Sequence, residues 1–321
     1  MKVLITGISG LLGGMVARDA HMTGYEVVGV SRNASELKFD FPVKIEVLDL
    51  TESPLNDSLL SDIDIVIHCA ANTSMGSVHN PHQNQLNTES VQKLIDLSIK
   101  AKVRRFILVS TANTCVPGDK QRPGTEANKI EISPSNLNYI NSKIKAEHIL
   151  QYAVQNLGLN GIIVNPTFIL NPLASFKSSN KLIEYCLSKS ILFYPKGGKN
   201  IVDARDVSTA IMAIIENGEI GGNYILSNKN YTYKELYKLA LMEQKRKAVL
   251  IPIPAWLLLL FGGISTIIER LFRKPINFNL ISAKLLNSNH FYDYSKAAEH
   301  LDYNPRPIRN TIKTIIQDIQ T

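Results

Sequence analysis

Tyr139 and Lys143 stand four residues apart in the stretch YINSKIKAE, from Tyr139 to Glu147, a spacing that places both side chains on one face of a helix. A phenol beside an ammonium can do acid–base work on a carbonyl. A ketone or aldehyde that accepts hydride becomes an alkoxide unless a proton arrives during the transfer, and Tyr139 can supply that proton. A free phenol titrates near about 10, and a neighbouring ammonium is expected to bring Tyr139 closer to neutrality. The same spacing recurs as Tyr185 with Lys189 and as Tyr292 with Lys296, so spacing alone does not select a pair.

A second constellation lies at the N-terminus, where TGISGLLGG sets Gly7, Gly10 and Gly13 three apart, with Ser9, Leu11 and Leu12 between them. Glycines there let the chain turn sharply, approach a pyrophosphate and pack the following helix closely, while the helix N-terminus attracts the anion. A dinucleotide is the ligand this predicts. In such folds an acid ending the second strand holds the adenosine ribose, whereas a basic residue accepts a 2′-phosphate. EVVGVSRN puts Ser31 and Arg32 there and no acid, which predicts NADP. NAD is the alternative if Arg32 is only a solvated charge.

The elements that must position these groups follow from hydrophobic rhythm. KVLIT, EVVGV, VKIEVL, DIVIHCA, RRFILVS and GIIVN are short apolar runs separated mostly by helix-like segments, the pattern of a parallel sheet buried on both faces. The expected fold class is α/β, a Rossmann-like doubly wound parallel sheet with a smaller C-terminal substrate-binding lobe. The expected division is 1–165 for the dinucleotide-binding domain and 166–321 for the lobe, with some chain crossing back. PTFILNPLAS, a helix over Leu182–Ser188, KNIVD, a helix over Ala204–Glu216, NYILS and a helix from Tyr233 are all placed in that lobe. Tyr139 and Lys143 fall between the fifth and sixth strands. The other two pairs fall beyond the sheet and are read as surface helix residues.

Composition narrows the function classes. The 321 residues carry a net charge of +7, but Lys and Arg are spread without a basic block interleaved with aromatics, so nucleic acid is not an expected partner. Cys69, Cys115 and Cys186 are scattered, which fits a reducing cytoplasm and no zinc site. The sequence opens on a strand-like run that reaches glycines within about ten residues, so no signal peptide is expected. His79 and His82 in HNPH are read as solvent-facing loop residues, and no metal is expected. His68 is read as a packed strand-end histidine in the possible cofactor neighbourhood. Ile251 to Ile268 has no charge, is interrupted by Pro252, Pro254, Gly262 and Gly263, and is followed by Arg270, Arg273 and Lys274. Three readings of 251–274 stand: an apolar lid over the substrate, an amphipathic helix on a membrane surface, or a dimer contact.

In this order the motifs resemble the extended short-chain dehydrogenase/reductase family, also called the NAD-dependent epimerase/dehydratase family. TGISGLLG is similar to its glycine loop, and Asp49 with Leu50 to its adenine-contacting pair. HCAA, from His68 through Cys69, Ala70 and Ala71, resembles its fourth-strand motif, and QLNTESVQKLI its helix with an Asn, here Asn87. RRFILVST is similar to the strand ending in a catalytic hydroxyl, YINSK to the Tyr-x-x-x-Lys, and VNPTF to the loop that holds the nicotinamide carboxamide. VDARDVSTA and SKAAEHLDYNPR resemble the signatures of the second lobe. The resemblance implies Thr111 as the carbonyl partner, with Ser110 as the alternative because STANT departs from the usual triplet. It implies Asn165, Pro166 and Thr167 beside the nicotinamide, and Lys143 holding its ribose. It also implies a homodimer through helices near Thr88–Lys100 and Asn138–Tyr152. VNPTFILNP and the apolar stretch are closer to dihydroflavonol reductase and 3β-hydroxysteroid dehydrogenase than to sugar epimerases. The expected function is therefore NADP-dependent oxidoreduction of an apolar or aromatic alcohol, ketone or aldehyde. The alternatives are a nucleotide-sugar epimerase or dehydratase with tightly bound NAD, and a catalytically idle dinucleotide-binding protein.

Overall fold

The structure, a computed structural model, describes residues 1–320 except 36, 53–54, 76–79, 134–135, 173–178 and 273–277. His79, the end of PTFILNPLAS, and Arg273 and Lys274 therefore lie outside the described residues. Six strands in the first half of the chain lie parallel: β1 (Lys2–Thr6), β2 (Glu26–Ser31), β3 (Lys44–Val47), β4 (Ile65–His68), β5 (Arg105–Val109) and β6 (Gly161–Pro166). Among the described residues the α-helices between them are α1 (Gly13–Met22), α2 (Pro81–Asn84), α3 (Ser90–Lys100) and α4 (Asn138–Leu157).

Side chains alternate faces along a strand, and the apolar content of β1 supplies both. Val3 and Ile5 join the core under α1, with Val16 and Ala17. Leu4 joins the opposite core with Leu94 and Ile95 of α3 and Ala146 and Leu150 of α4. Burial on both faces is why the strand reads as a continuous apolar run rather than an alternating one. The strand order runs 10-6-5-4-1-2-3, so connections leave β1 and β4 in opposite directions and open a crevice beyond their carboxyl ends.

The seventh strand corrects the sequence reading. NYILS, expected in the smaller lobe, forms β10 (Asn223–Leu226) and pairs in parallel with β6 at the edge of the main sheet. Its Tyr224, Ile225 and Leu226 are all fully buried, a burial that one open face of a small lobe could not supply. Between β6 and β10 come β7 (Phe168–Leu170), α5 (Lys181–Ser188), β8 (Ile191–Tyr194), β9 (Gly198–Asp203) and α6 (Ala204–Asn217). After β10 come β11 (Lys229–Thr232), α7 (Tyr233–Glu243), β12 (Val249–Pro252), α8 (Ala255–Phe272), α9 (Leu280–Asn287), β13 (Asn289–His290), α10 (Ser295–Leu301) and α11 (Ile308–Gln320).

Strand β9 is the axis of a second sheet and pairs with β7, β11 and β13; α5, α7 and α11 share the core beside it. The two lobe signatures lock onto each other there. Asp206 Oδ1 accepts from Arg306 Nε at 2.6 Å and Asp206 Oδ2 from Arg306 N at 3.0 Å. Asp203 caps α6 through the Arg205 N–H at 2.8 Å and accepts from Thr311 Oγ1 of α11 at 2.6 Å. The lone tyrosine–lysine pairs also differ from expectation. Tyr185 is half-buried on α5 with its ring 5.8 Å from that of Tyr237, and Tyr292 is buried in an extended bridge to Gly124 rather than on a helix. Tyr185 fills apolar space in the lobe and Tyr292 packs with Ala112, Cys115 and Ile225 at the end of the main sheet, and this packing outweighs the polar tip of a tyrosine.

Candidate active site

The glycine turn closes at the end of β1. Gly7 sits at φ +69, a conformation that glycine adopts without strain, and Gly10 N donates to Gly7 O at 2.8 Å. A Cβ on Gly7 would lie 2.7 Å from the Ala70 backbone, and one on Gly13 2.3 Å from Gly7 O. Both obstacles are backbone, so neither position accepts a side chain. The segment Cys69, Ala70 and Ala71 thus lies directly against the turn. Ser9 and Gly10 are exposed at the mouth, and Leu11 is half-buried with its carbonyl accepting from Asn171 Nδ2 at 3.0 Å. Leu12 turns its side chain into the core and has only its backbone to offer. Helix α1 carries no acidic residue in its first turn. An exposed, side-chain-free turn at an uncompensated helix N-terminus fits a pyrophosphate.

At the end of β2, where adenosine was expected, Ser31 is buried with its hydroxyl donating to Asn33 O at 2.9 Å. Arg32 is exposed and makes no ion pair among the described residues. Asp49 is held below the usual carboxylate range, first by Thr51, whose hydroxyl and N–H donate to it at 2.6 and 2.8 Å, and then by the Arg32 charge. Leu50 is buried beneath it.

The groups expected to react gather on α4 and at the ends of β4 and β5. Tyr139 and Lys143 are both buried, and Tyr139 hydrogen-bonds the Thr111 side chain at the end of β5. Burial raises the phenol to about 12 and the Thr111 bond partly opposes it. Lys143 Nζ donates to Val109 O at 2.8 Å, and burial lowers its pKa to about 8, with Cys69 and Glu147 opposing the shift. The acidifying contact on Tyr139 is therefore Thr111, where the sequence pointed to Lys143. The lysine donates instead to the β5 carbonyl, and its charge bears on His68 and Cys69 at the β4 end. There, His68 is fully buried, receives or gives a hydrogen bond with Thr6 Oγ1 at 2.9 Å, and is lowered by burial to about 3, so its ring is neutral.

Glu147 is the residue that sequence reasoning passed over. It continues the spacing of Tyr139 and Lys143 by one more turn, and its buried carboxylate accepts from Ser110 Oγ at 2.5 Å, Thr114 Oγ1 at 2.7 Å and Asn165 Nδ2 at 2.7 Å. Lys129 pairs with its other oxygen at 2.8 Å. This commits the Ser110 hydroxyl and leaves Thr111 as the one facing Tyr139. Asn165 also donates to Thr111 O at 2.8 Å, so Glu147 and Asn165 together fix the strand end that carries Thr111. Repetition of the four-residue step by an acid on a helix face that must be buried was the available signal.

Other expected site residues are brought near but have their side chains engaged. Asn87 accepts from Asn72 N at 2.8 Å and donates to Asn72 O and Ser142 Oγ, each at 3.0 Å, so it ties the loop after β4 to α4. Pro166 ends β6, Thr167 N donates to Leu226 O at 3.2 Å, and Thr167 Oγ1 donates to Asn200 Oδ1 at 2.8 Å. The apolar wall around Tyr139 consists of Leu137, Ile140 and Ile144, with Met75, Ile130 and, from α9, Ile281 and Leu285. Of the three readings of 251–274, the lid over the substrate is the one this packing does not favour: α9 contributes Ile281 and Leu285 beside Tyr139, whereas α8 packs against α9 and keeps most of its large apolar residues exposed. Among the described residues no group of three or more His, Cys, Asp and Glu could hold a metal ion.

The Lys143 shift gives a pH-dependent stability. The folded protein holds this proton less tightly than the unfolded chain, about 8 against 10.5, so below 8 the full cost of burying the cation is present and stability rises as pH climbs through that window. Relative to Lys143→Met, wild type should gain about 2 kcal/mol between about pH 7 and about pH 9.5 in urea unfolding. A pH-independent difference would show that Lys143 titrates as it does in the unfolded chain.

Comparison with known proteins places this geometry. The model of the NAD dependent epimerase/dehydratase family matches residues 3–227. A putative dihydroflavonol 4-reductase of Synechocystis sp. is 24% identical, covering 98% of this chain and 94% of its own length. The 3 beta-hydroxysteroid dehydrogenase/Delta 5→4-isomerase of vaccinia virus (strain Ankara) is 23% identical, covering 83% of each chain. The crystal structure of UDP-glucuronic acid 4-epimerase from Bacillus cereus, in complex with UDP-glucuronic acid and NAD, is similar in fold with a TM-score of 0.76 at 18% identity, covering 100% of this chain and 99% of that one.

Proposed function

Because the chain belongs to the NAD dependent epimerase/dehydratase family and is an NAD(P)-dependent enzyme, we propose that it oxidises or reduces an apolar or aromatic alcohol, ketone or aldehyde with NADP. The observation that carries this reading is the wall around Tyr139, built of Leu, Ile and Met side chains from α4 and α9 and the loops beside them. Such a wall favours a ring or alkyl chain over sugar hydroxyls, which would lose hydrogen bonds to water there.

The nicotinamide supplies the redox chemistry when bound. Tyr139, protonated up to about 12, gives its proton to the substrate oxygen in the reducing direction. The Thr111 hydroxyl, beside the phenol, donates to that same oxygen and polarises the carbonyl. Lys143 stays anchored to the Val109 carbonyl and holds the nicotinamide ribose. The glycine turn and the Cys69–Ala71 segment take the pyrophosphate, and Arg32 takes the 2′-phosphate.

Calorimetric titration with NADP⁺ and NAD⁺, with NADPH consumption on a panel of aromatic ketones and aldehydes, tests the reading. Tight NADP⁺ binding with turnover supports it. Arg32→Ala should weaken NADP⁺ by about ten- to a hundredfold, the worth of a charge-assisted hydrogen bond, and leave NAD⁺ unchanged. Equal losses for both would remove Arg32 from phosphate recognition.

A second reading has one observation in its favour. Lys199 of β9 has its amine 4.4 Å from the Phe168 ring, and burial lowers its pKa to about 8. A desolvated cation of this kind could accept a nucleotide-sugar diphosphate. In that case purified protein would carry NAD that dialysis does not remove and would consume none on UDP-glucose.

A further inference from the structure

Helix α8 is inside out. Trp256, Leu260, Ile264, Ile267 and Leu271 recur at three- and four-residue steps, and each is between 45 and 73% exposed. They form one apolar stripe about 23 Å long at 1.5 Å rise per residue. The inward face carries Leu258, Gly262 and Thr266. A Cβ on Gly262 would meet Ala283 Cβ at 2.9 Å, and Thr266 Oγ1 accepts from Leu280 N at 3.0 Å and donates to Gly262 O at 2.8 Å. The approach to α9 at Gly262 and Thr266 uses no large side chain, and the exposed stripe is left for something else.

The stripe has an apolar companion. In the β8–β12 pair immediately before α8, Val249 faces Ile191 and Ile251 faces Phe193 in register, and all four are exposed. A soluble surface rarely keeps this much contiguous apolar area uncovered. Charge says what covers it. Lys245, Arg246 and Lys247 precede the apolar segment and Arg270, Arg273 and Lys274 follow it, with Glu269 the single acid from 245 to 274. Both ends being basic, a two-fold contact of α8 with its own copy sets cation against cation whether the helices run parallel or antiparallel. An anionic surface with an apolar interior complements both parts. Among the described residues no helix is long and apolar enough to cross a membrane, so the helix lies along that surface.

We propose that α8 and the β8–β12 pair dock this protein on an anionic phospholipid bilayer, with α8 in the interfacial plane and its Leu and Ile stripe among the acyl chains. The proposal is independent of the substrate assigned above. The molecule carries its own reporter, since Trp256 is the single tryptophan of the sequence and lies on the stripe.

The test uses the full chain with phosphatidylcholine vesicles, with and without phosphatidylglycerol. Wild type should float with the anionic vesicles, its tryptophan emission should shift to the blue, and raised salt should weaken both effects. The triple variant Leu260→Gln, Ile264→Gln, Ile267→Gln should lose affinity by at least about tenfold, with an unchanged urea midpoint because all three side chains are exposed. Should that variant not fold, Lys245→Gln with Lys247→Gln, both exposed, should still lower binding to anionic vesicles. Wild type that neither floats nor shifts overturns the proposal. So does a micromolar dimer that the triple variant abolishes while no vesicle binds, which would assign the face to a second copy.

Discussion

Tyr139→Phe is expected to lower turnover by about a thousandfold, within the range of general acid–base contributions, while NADP⁺ affinity changes by less than about twofold. The ring keeps its place against Ile140 and α9, so the fold has no reason to change. What is lost is the proton and the hydrogen bond with Thr111. Steady-state kinetics on any carbonyl found active in the panel, with calorimetry on the same preparation, separates the two effects. Full turnover with phenylalanine at 139 would remove Tyr139 from proton transfer. A parallel loss of cofactor affinity would make it a binding residue instead.

Glu147→Ala should cost about 3–5 kcal/mol of stability, the scale for removing one partner of a buried ion pair. The Ser110, Thr114 and Asn165 donors and the Lys129 ammonium would then converge on an empty space, and each buried donor without an acceptor adds its own desolvation cost. The strand end bearing Thr111 would loosen, because Asn165 holds both Glu147 and the Thr111 carbonyl. Turnover should therefore fall alongside stability. Glu147→Gln keeps the shape and one acceptor oxygen and should recover part of both. Urea unfolding at constant slope measures the first effect. An alanine variant within about 1 kcal/mol of wild type would show that the cluster does not organise the site.

The parts legible in the sequence were those governed by local rules. Continuous apolar runs such as KVLIT could be satisfied only by strands covered on both faces, and Gly7, Gly10 and Gly13 stand where a side chain would strike backbone; both follow from sterics within a short stretch. The Tyr139–Lys143 couple was singled out by its place between the fifth and sixth strands, because the four-residue step itself recurs at Tyr185 and Tyr292. NYILS was misplaced for the complementary reason. Nothing in five residues says which of two sheets they will join, and that choice depends on β6 offering a free edge to β10.

The same division runs through the site. Sequence determined that a phenol, an ammonium and a hydroxyl would meet at the carboxyl ends of parallel strands beside a dinucleotide turn. Tertiary structure decided which hydroxyl faces the phenol, because only packing brings Glu147 to Ser110 and leaves Thr111 turned to Tyr139. It decided that Lys143 rests on Val109 rather than on the phenol. It also decided that the apolar run around Leu260 faces outward while α9 closes over Tyr139. Hydrophobicity fixes how much a segment gains by leaving water, but the direction it faces depends on which surface is still uncovered once the other elements have packed.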